Sequence, residues 1–293
     1  MRLGALEAGG TKMVCAIVDD EGRISDRFTT PTEDPEKTLK ILYDYFAERQ
    51  IDCLGIACFG PIDLHEDSPT YGCVTTSPKV AWRNVNVVKA FEGLGVPVGF
   101  DTDVNGSVLG ETTYGIGRGV KNCVYITIGT GIGIGVLSEG RLLHGMLHPE
   151  GGHILLPMSP DDPMERGICP NHPNCFEGLA AGPSIEKRWG KSAKELGDRD
   201  DVWDVEAFYI ANALVSYTMT LSPELFILGG GVMHKADVLL PKVRAKYAEL
   251  MNNYIQTKQT ADLEHYIVCQ SLDDNQGLLG AAEIGRMALG KAR

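Results

Sequence analysis

Leu3-Gly4-Ala5-Leu6-Glu7-Ala8-Gly9-Gly10-Thr11-Lys12-Met13-Val14-Cys15-Ala16-Ile17-Val18 decides how the rest of the chain is read. Two short apolar runs flank a glycine pair. Leu3 to Glu7 reads as a strand, Ala8-Gly9-Gly10-Thr11 as a tight turn, and Met13 to Val18 as a second strand. Asp19-Asp20-Glu21-Gly22 then closes a hairpin into Arg23 to Thr29. The layout restarts near residue 122. Cys123 to Ile128 is a strand, Gly129-Thr130-Gly131 a turn, Ile132 to Leu137 a strand, and Glu139-Gly140 a hairpin. The run Val18-Asp19-Asp20-Glu21-Gly22-Arg23-Ile24 parallels Val136-Leu137-Ser138-Glu139-Gly140-Arg141-Leu142. Recurrence at half-length spacing predicts a duplicated α/β domain. The alternative is chance, since Glu-Gly hairpins are common.

Outward from these turns, residues 34 to 48 carry a helical pattern, with Asp34 as N-cap and Pro35 at the first helical position. Cys53 to Ala57 and Val96 to Phe100 read as short strands, and Asp103 to Tyr114 as a helix. Residues 157 to 175 are rich in Pro, Asp and Asn, and so long a loop needs something to pin it. Residues 201 to 221 form a long helix. Leu225 to Leu228 is a strand ending in Gly229-Gly230-Gly231, and residues 235 to 254 and 276 to 290 are helical. The expected division is a smaller domain over 1–117 and a larger one over 118–293. The larger carries the loop 153–177, and a C-terminal helix, about 280–293, packs back on the smaller.

The chain has 293 residues, 43% hydrophobic and 23% charged, ample for a globular core. A formal net charge of -12 makes a nucleic acid an unfavourable partner. No run of about 18 apolar residues occurs, so no membrane span is expected. The N-terminus lacks the long apolar stretch and cleavage site of a signal peptide. Cys15, Cys53, Cys58, Cys123 and Cys269 lie in apolar runs and read as reduced, buried thiols of a cytoplasmic protein.

Three glycine turns suit an anionic ligand. At Gly9-Gly10-Thr11-Lys12, adjacent glycines let backbone N–H groups approach a phosphate, and Thr11 and Lys12 add side-chain donors. No helix follows directly, so this is not a Walker loop. The Gly129-Thr130-Gly131 turn is followed by a strand, which excludes a dinucleotide fingerprint. Gly229-Gly230-Gly231-Val232-Met233 lies between a strand and a helix, where a nucleotide meets a helix N-terminus. Phe100-Asp101-Thr102-Asp103-Val104-Asn105 places carboxylates at a strand end, where α/β proteins bind ligands. Asp103 fits a base that accepts an alcohol proton during phosphoryl transfer. The competing reading is that Asp101 or Asp103 is an N-cap. His148-Pro149-Glu150-Gly151-Gly152-His153 supplies groups suited to sugar hydroxyls, although a lone His is usually structural.

Cys169-Pro170-Asn171-His172-Pro173-Asn174-Cys175 is more specific. Two thiolates and an imidazole can close on one tetrahedral zinc ion, with His153 as fourth ligand. A Cys169–Cys175 disulfide is the alternative, disfavoured in a reducing compartment. An iron–sulfur cluster wants a further nearby Cys.

Together these motifs resemble the ROK family of sugar kinases and repressors. Glu-Ala-Gly-Gly-Thr-Lys, Asp-Thr-Asp-Val-Asn, Thr-Ile-Gly-Thr-Gly-Ile-Gly, Glu-Gly-Gly-His, the Cys/His loop with Cys-Phe-Glu, and Leu-Gly-Gly-Gly-Val run in family order across nearly the whole chain. The resemblance implies an actin/hexokinase-type (ribonuclease H-like) fold of two related α/β domains with a cleft between them. It implies ATP with magnesium, a structural zinc, and usually dimers or tetramers, here expected as a homodimer. Asp103 is then the base for the sugar's 6-hydroxyl, and Thr102, Glu150, His153 and Glu177 bind the sugar. His153, Cys169, His172 and Cys175 bind zinc. Gly9, Gly10, Thr11, Lys12, Thr130, Gly131, Gly182, Gly229, Gly230, Gly231, Val232 and Met233 line the ATP site.

Glu7, Thr102 and His172 depart from the Asp, Asn and Cys of many family members and resemble the bacterial fructokinase branch. That favours D-fructose as acceptor, with mannose secondary; the residues alone specify only a polyhydroxylated acceptor. Glucose or N-acetylmannosamine is the rival within the family. A sugar-responsive repressor is disfavoured, because the glycine turn begins too near Met1 for a helix-turn-helix module. A non-enzymatic nucleotide binder would not need Asp103 and Glu150 in these places.

Overall fold

The protein is described from a computed structural model covering residues 1–292; Arg293, the last residue of the expected C-terminal helix, lies outside the described residues. The opening motif forms β1 (Leu3–Ala8), β2 (Lys12–Val18) and β3 (Ile24–Pro31), followed by α1 (Pro35–Ala47), β4 (Cys53–Cys58), β5 (Val98–Thr102) and α2 (Asp103–Thr113). β1, β2 and β3 are antiparallel, and β4 and β5 continue the sheet in parallel beyond β1, giving the order β3-β2-β1-β4-β5. The repeat supplies β6 (Cys123–Ile128), β7 (Ile132–Ser138) and β8 (Arg141–Leu142). After it come α3 (Phe176–Ala180), α4 (Gly182–Trp189), α5 (Asp200–Leu221) and β9 (Leu225–Gly229). The chain ends with α6 (Ala236–Met251), α7 (Lys258–Ala261), α8 (Leu263–Tyr266), β10 (Ile267–Cys269) and α9 (Gln276–Ala292). The second sheet runs β10-β9-β6-β7-β8, the same topology read from the other end. Antiparallel β6-β7-β8 correspond to β1-β2-β3, and parallel β9 and β10 to β4 and β5. The duplication read from the two hairpins extends to the whole sheet.

Local signals account for the first elements. Asp34 caps α1, its carboxylate accepting from Lys37 N–H at 3.0 Å, with Pro35 at the first helical position. Gly22 and Gly140 turn the two hairpins with φ of 81° and 74°, a region open to glycine without strain.

Two compact units result. The first comprises residues 1–119, 143–148 and the segment from Ser271; the second comprises 120–142 and 149–270. The units therefore differ from a single cut near residue 117, because the chain returns twice to the first. The first sheet is covered on both faces. Leu39, Leu42 and Phe46 of α1 pack with Leu6, Ile56, Trp82 and Phe91 on one side. Leu278, Leu279, Ala281 and Ile284 of α9 pack with Leu3, Ala5, Val14 and Ala57 on the other. Each such fully buried Leu contributes roughly 1.5–3 kcal/mol of transfer free energy. The return of α9 depends on glycines in close backbone contact. A methyl group on Gly55 of β4 would lie 1.7 Å from Ala281 O, and one on Gly280 would lie 1.6 Å from Gly106 O of α2. The Gly-Leu-Leu-Gly-Ala-Ala run of α9 thus packs within the chain. No helix among the described residues is long and apolar enough to cross a membrane.

Candidate active site and metal centre

In the first unit, β5 delivers Asp101, Thr102 and Asp103 to the start of α2. Neither aspartate is the N-cap: Thr102 is, its Oγ1 accepting from Asn105 N–H at 3.1 Å. Asp101 is buried and structural. Its Oδ1 accepts from Thr102 N–H at 2.8 Å and from Asn105 Nδ2 at 2.6 Å, and its Oδ2 lies 2.9 Å from His144 Nε2. The hydrogen bond that His144 donates to the Asp101 carboxylate raises the pKa of His144. This pair ties residues 143–148 to the first unit, helped by His148, whose Nε2 accepts from Ile62 N–H at 3.3 Å. With the cap and the tether assigned elsewhere, the Asp103 carboxylate accepts from the adjacent Val104 N–H, at 2.9 Å, and is drawn on by its own backbone N–H. Burial pushes its carboxyl up to about 6. The expectation for Thr102 is narrowed: its side chain is 2% exposed and its oxygen already accepts the cap bond, so its hydroxyl proton is what it can offer a ligand.

The glycine turn between β1 and β2 is held from behind. Gly9 N–H donates to Lys12 O at 3.1 Å, Thr32 Oγ1 donates to Gly9 O at 2.7 Å, and Thr32 N–H donates to Thr11 O at 2.9 Å. Among the described residues, the N–H groups of Gly10 and Thr11 donate to no protein acceptor. Glu7, one residue before the turn, has its carboxyl pushed up to about 7, chiefly by burial and then by the charge of Asp103, while Lys12 pulls the other way.

The second unit gathers the other two turns at one sheet edge. β6 pairs with β9 up to Thr127 opposite Gly229, and a methyl group on Gly129 would lie 3.8 Å from Gly231 N. Gly230 has φ of 87°, and any side chain there would strike Ile128 O at 2.6 Å, so only glycine closes this corner. A short 3-10 turn, Gly231–Lys235, intervenes before α6, so the turn does not open directly onto an α-helix as expected. Val232 and Met233 are buried, and Met233 N–H donates to Gly230 O at 3.0 Å. Gly182 N–H donates to Gly129 O at 2.8 Å, so that donor serves the fold, and the two backbones approach closely there. The expected ATP-site residues of this unit, Thr130, Gly131, Gly182 and Gly229 to Met233, therefore lie together.

Glu177, on α3, reaches back to the same edge: its Oε2 accepts from Ile132 N–H at 2.9 Å and sits against Gly131. Its Oε1 lies 3.9 Å from His153 Nε2. The other nitrogen of His153, Nδ1, lies 3.6 Å from Cys175 Sγ. Cys169 Sγ lies 3.7 Å from His172 Nδ1, and one ligand atom from each of His153, Cys169, His172 and Cys175 falls within 4.8 Å of the others. A tetrahedron with Zn–S near ~2.3 Å and Zn–N near ~2.0–2.1 Å has N···S edges of about 3.6 Å, so these four residues fit zinc. No disulfide joins Cys169 and Cys175. Cys175 also accepts from Gly178 N–H at 3.4 Å, an outer hydrogen bond that fixes the thiol. Glu150 is exposed at the start of the short 3-10 turn Gly151–His153.

The loop is pinned at a second point that was not legible beforehand. Arg188 Nε lies 2.9 Å from both oxygens of Asp162, Tyr209 OH donates to Asp162 at 2.6 Å, and Arg188 and Asp162 are fully buried. Burial pushes the neighbouring Glu206 up to about 8.

Two units with one strand order, each turning a glycine-rich loop at a sheet edge, define a duplicated α/β protein of the actin and hexokinase class. The chain belongs to the ROK family, whose model matches residues 3–287. It is 41% identical over 287 residues to a fructokinase of Lactococcus lactis subsp. cremoris, covering 98% of this chain and 96% of that protein. It is 40% identical over 293 residues to a fructokinase of Pediococcus pentosaceus, covering all of both. Among solved structures it matches the ROK hexokinase of Thermus thermophilus, with a TM-score of 0.82, 25% identity, and coverage of 99% of this chain and 100% of that one.

Proposed function

We propose that this protein transfers the γ-phosphoryl group of ATP to the 6-hydroxyl of D-fructose, giving D-fructose 6-phosphate. Asp103 carries the reading: a carboxylate freed of capping duty, partly buried and with a pKa raised toward neutrality is suited to general base catalysis. Fructose as the acceptor rests on the full-length likeness to the fructokinases.

In this mechanism the Asp103 carboxylate takes the proton of the sugar's 6-hydroxyl as that oxygen bonds to the γ-phosphorus. The bond to the β-phosphate oxygen breaks, and its electron pair leaves with ADP. Thr102, Glu150, His153 and Glu177 hold sugar hydroxyls, with His153 using Nε2 while Nδ1 serves the metal. Gly9, Gly10, Thr11, Lys12, Thr130, Gly131, Gly182 and Gly229 to Met233 are the proposed ATP-binding residues, their glycine turns offering backbone N–H groups to phosphate. Magnesium, when bound with ATP, would neutralise charge on the phosphates, and Glu7 would supply an oxygen donor of the hard kind it prefers. Zinc in the Cys/His loop is structural: it ties down residues 153–175 and so positions His153 and Glu177. We place the protein in the cytoplasm as a homodimer without a nucleic-acid partner, in keeping with its acidity and reduced thiols.

The test is ADP release coupled to a reporter enzyme, across fructose, glucose, mannose and N-acetylmannosamine. The expected outcome is highest kcat/KM for fructose. Highest kcat/KM for glucose or N-acetylmannosamine would reassign the acceptor, and ADP release independent of any sugar would reject the kinase.

A further inference from the structure

The turn Gly9-Gly10-Thr11 has a neighbour remote in sequence. The stem of Lys79 runs against it: a methyl group built on Gly10 would lie 3.4 Å from Lys79 Cε and close to no other atom. Gly10 does not have a positive φ, and a methyl group there would make only ordinary contact with the lysine stem, so the lysine side chain lies within reach of the turn.

Lys79 is rooted on a rigid support. Its N–H donates to Ser77 Oγ at 3.2 Å, and its carbonyl accepts from Trp82 N–H at 2.9 Å. Trp82 is 1% exposed and pinned by Nε1 donating to Glu33 O at 2.9 Å. Arg83 Nε donates to Ser77 O at 2.7 Å, closing the segment on itself. Among the described residues, no carboxylate pairs with the Lys79 ammonium, although several other lysines of this acidic chain have one, such as Lys242 with Asp200 and Asp204. A lysine with no acid partner, its backbone held, thus runs its stem against a turn whose two backbone N–H groups have no acceptor. An ammonium that can reach this turn would join those two donors on a phosphoryl group.

We propose that Lys79 is a catalytic residue that binds the phosphoryl group in transit at the Gly9-Gly10-Thr11 turn. The inference rests on the kinase reading above. As the bond from the sugar oxygen to phosphorus forms and the bond to the ADP oxygen breaks, Lys79 keeps its protons and donates a hydrogen bond to a non-bridging oxygen of the group. Such placement stabilises charge spread over the equatorial oxygens. The positive charge of Lys12, exposed at the start of β2, is partly directed toward Glu7.

Two measurements test this. In the first, Lys79→Met and Lys79→Arg are assayed with MgATP and fructose. Lys79→Met is expected to lose about 100-fold or more in kcat, the scale seen when one transition-state donor is removed, with fructose affinity unchanged. Lys79→Arg is expected to recover part of the loss. A Lys79→Met enzyme within threefold of wild type would overturn the proposal. In the second, amine acetylation of Lys79 in the wild-type protein is followed by mass spectrometry. Magnesium with AMP-PNP and fructose is expected to slow labelling at least fivefold, whereas adenosine is not; equal labelling with and without AMP-PNP would overturn the proposal. The labelling arm does not require turnover. Wild-type protein inactive on every sugar would therefore sink the kinase reading while labelling still decides the role of Lys79.

Discussion

Asp103 was legible as a carboxylate at a strand end, but its freedom to act was not. Thr, Asp and Asn all cap helices, and only the hydrogen bond from Asn105 N–H to Thr102 shows which of three adjacent candidates does so. Lys79 left no local signal, because it meets Gly10 only through the fold. The raised pKa of Asp103, about 6, fixes a pH dependence. A base must be deprotonated, so kcat/KM is expected to be flat above that value and to fall about tenfold per unit below it. Glu7, pushed up to about 7 partly by Asp103, titrates together with it. The same shift has a stability counterpart. A carboxyl whose folded pKa lies above its unfolded value of about 4 stabilises the fold below that value, and this contribution is lost as pH rises toward 6. Asp103→Asn should therefore raise Tm at pH 8 relative to wild type and much less at pH 4.5. Thermal melts at the two pH values check this; equal shifts would contradict it.

At the scale of elements, the Cys/His spacing announced the metal loop, and the structure brings all four expected ligands together. The second anchor, Asp162 to Arg188 on α4 and Tyr209 on α5, was illegible, because an Asp in a Pro-rich loop reads as a turn residue. We expect one zinc per chain by metal analysis of protein purified without chelator, and none in Cys169→Ser. Chelation should lower Tm by several degrees and raise KM for the sugar more than that for ATP, since the proposed mechanism gives His153 a part in both metal and acceptor binding. Zinc-free protein with unchanged Tm and KM would contradict this. A run of small residues such as that of α9 can in general pack within or between chains, and the close contacts of Gly55, Gly106 and Gly280 place it within this one. Gly280→Ala forces a methyl group onto Gly106 O and should destabilise by roughly 1–3 kcal/mol or more. Denaturant melts check it, with Gly290→Ala, where a methyl group meets open space, as the control.

At the scale of the whole molecule, the repeated hairpin foretold a duplicated architecture, because strand, glycine turn and hairpin are local and survive in both halves. The return of the C-terminal helix to the first unit was expected, whereas that of residues 143–148 was less visible, because it rests on long-range packing and on the pairing of exposed His144 with buried Asp101. Family membership ties the chain to sugar-kinase chemistry, and in the proposed mechanism Asp103 is the group on which that chemistry turns. The direct measurement is product analysis by NMR: wild type and Asp103→Asn are incubated with MgATP and D-fructose, and the sugar phosphate is identified and timed. The account predicts D-fructose 6-phosphate from wild type, formed at least about 100-fold faster than by a folded Asp103→Asn variant. Phosphorylation at the 1-hydroxyl, or equal rates from the two proteins, would contradict it.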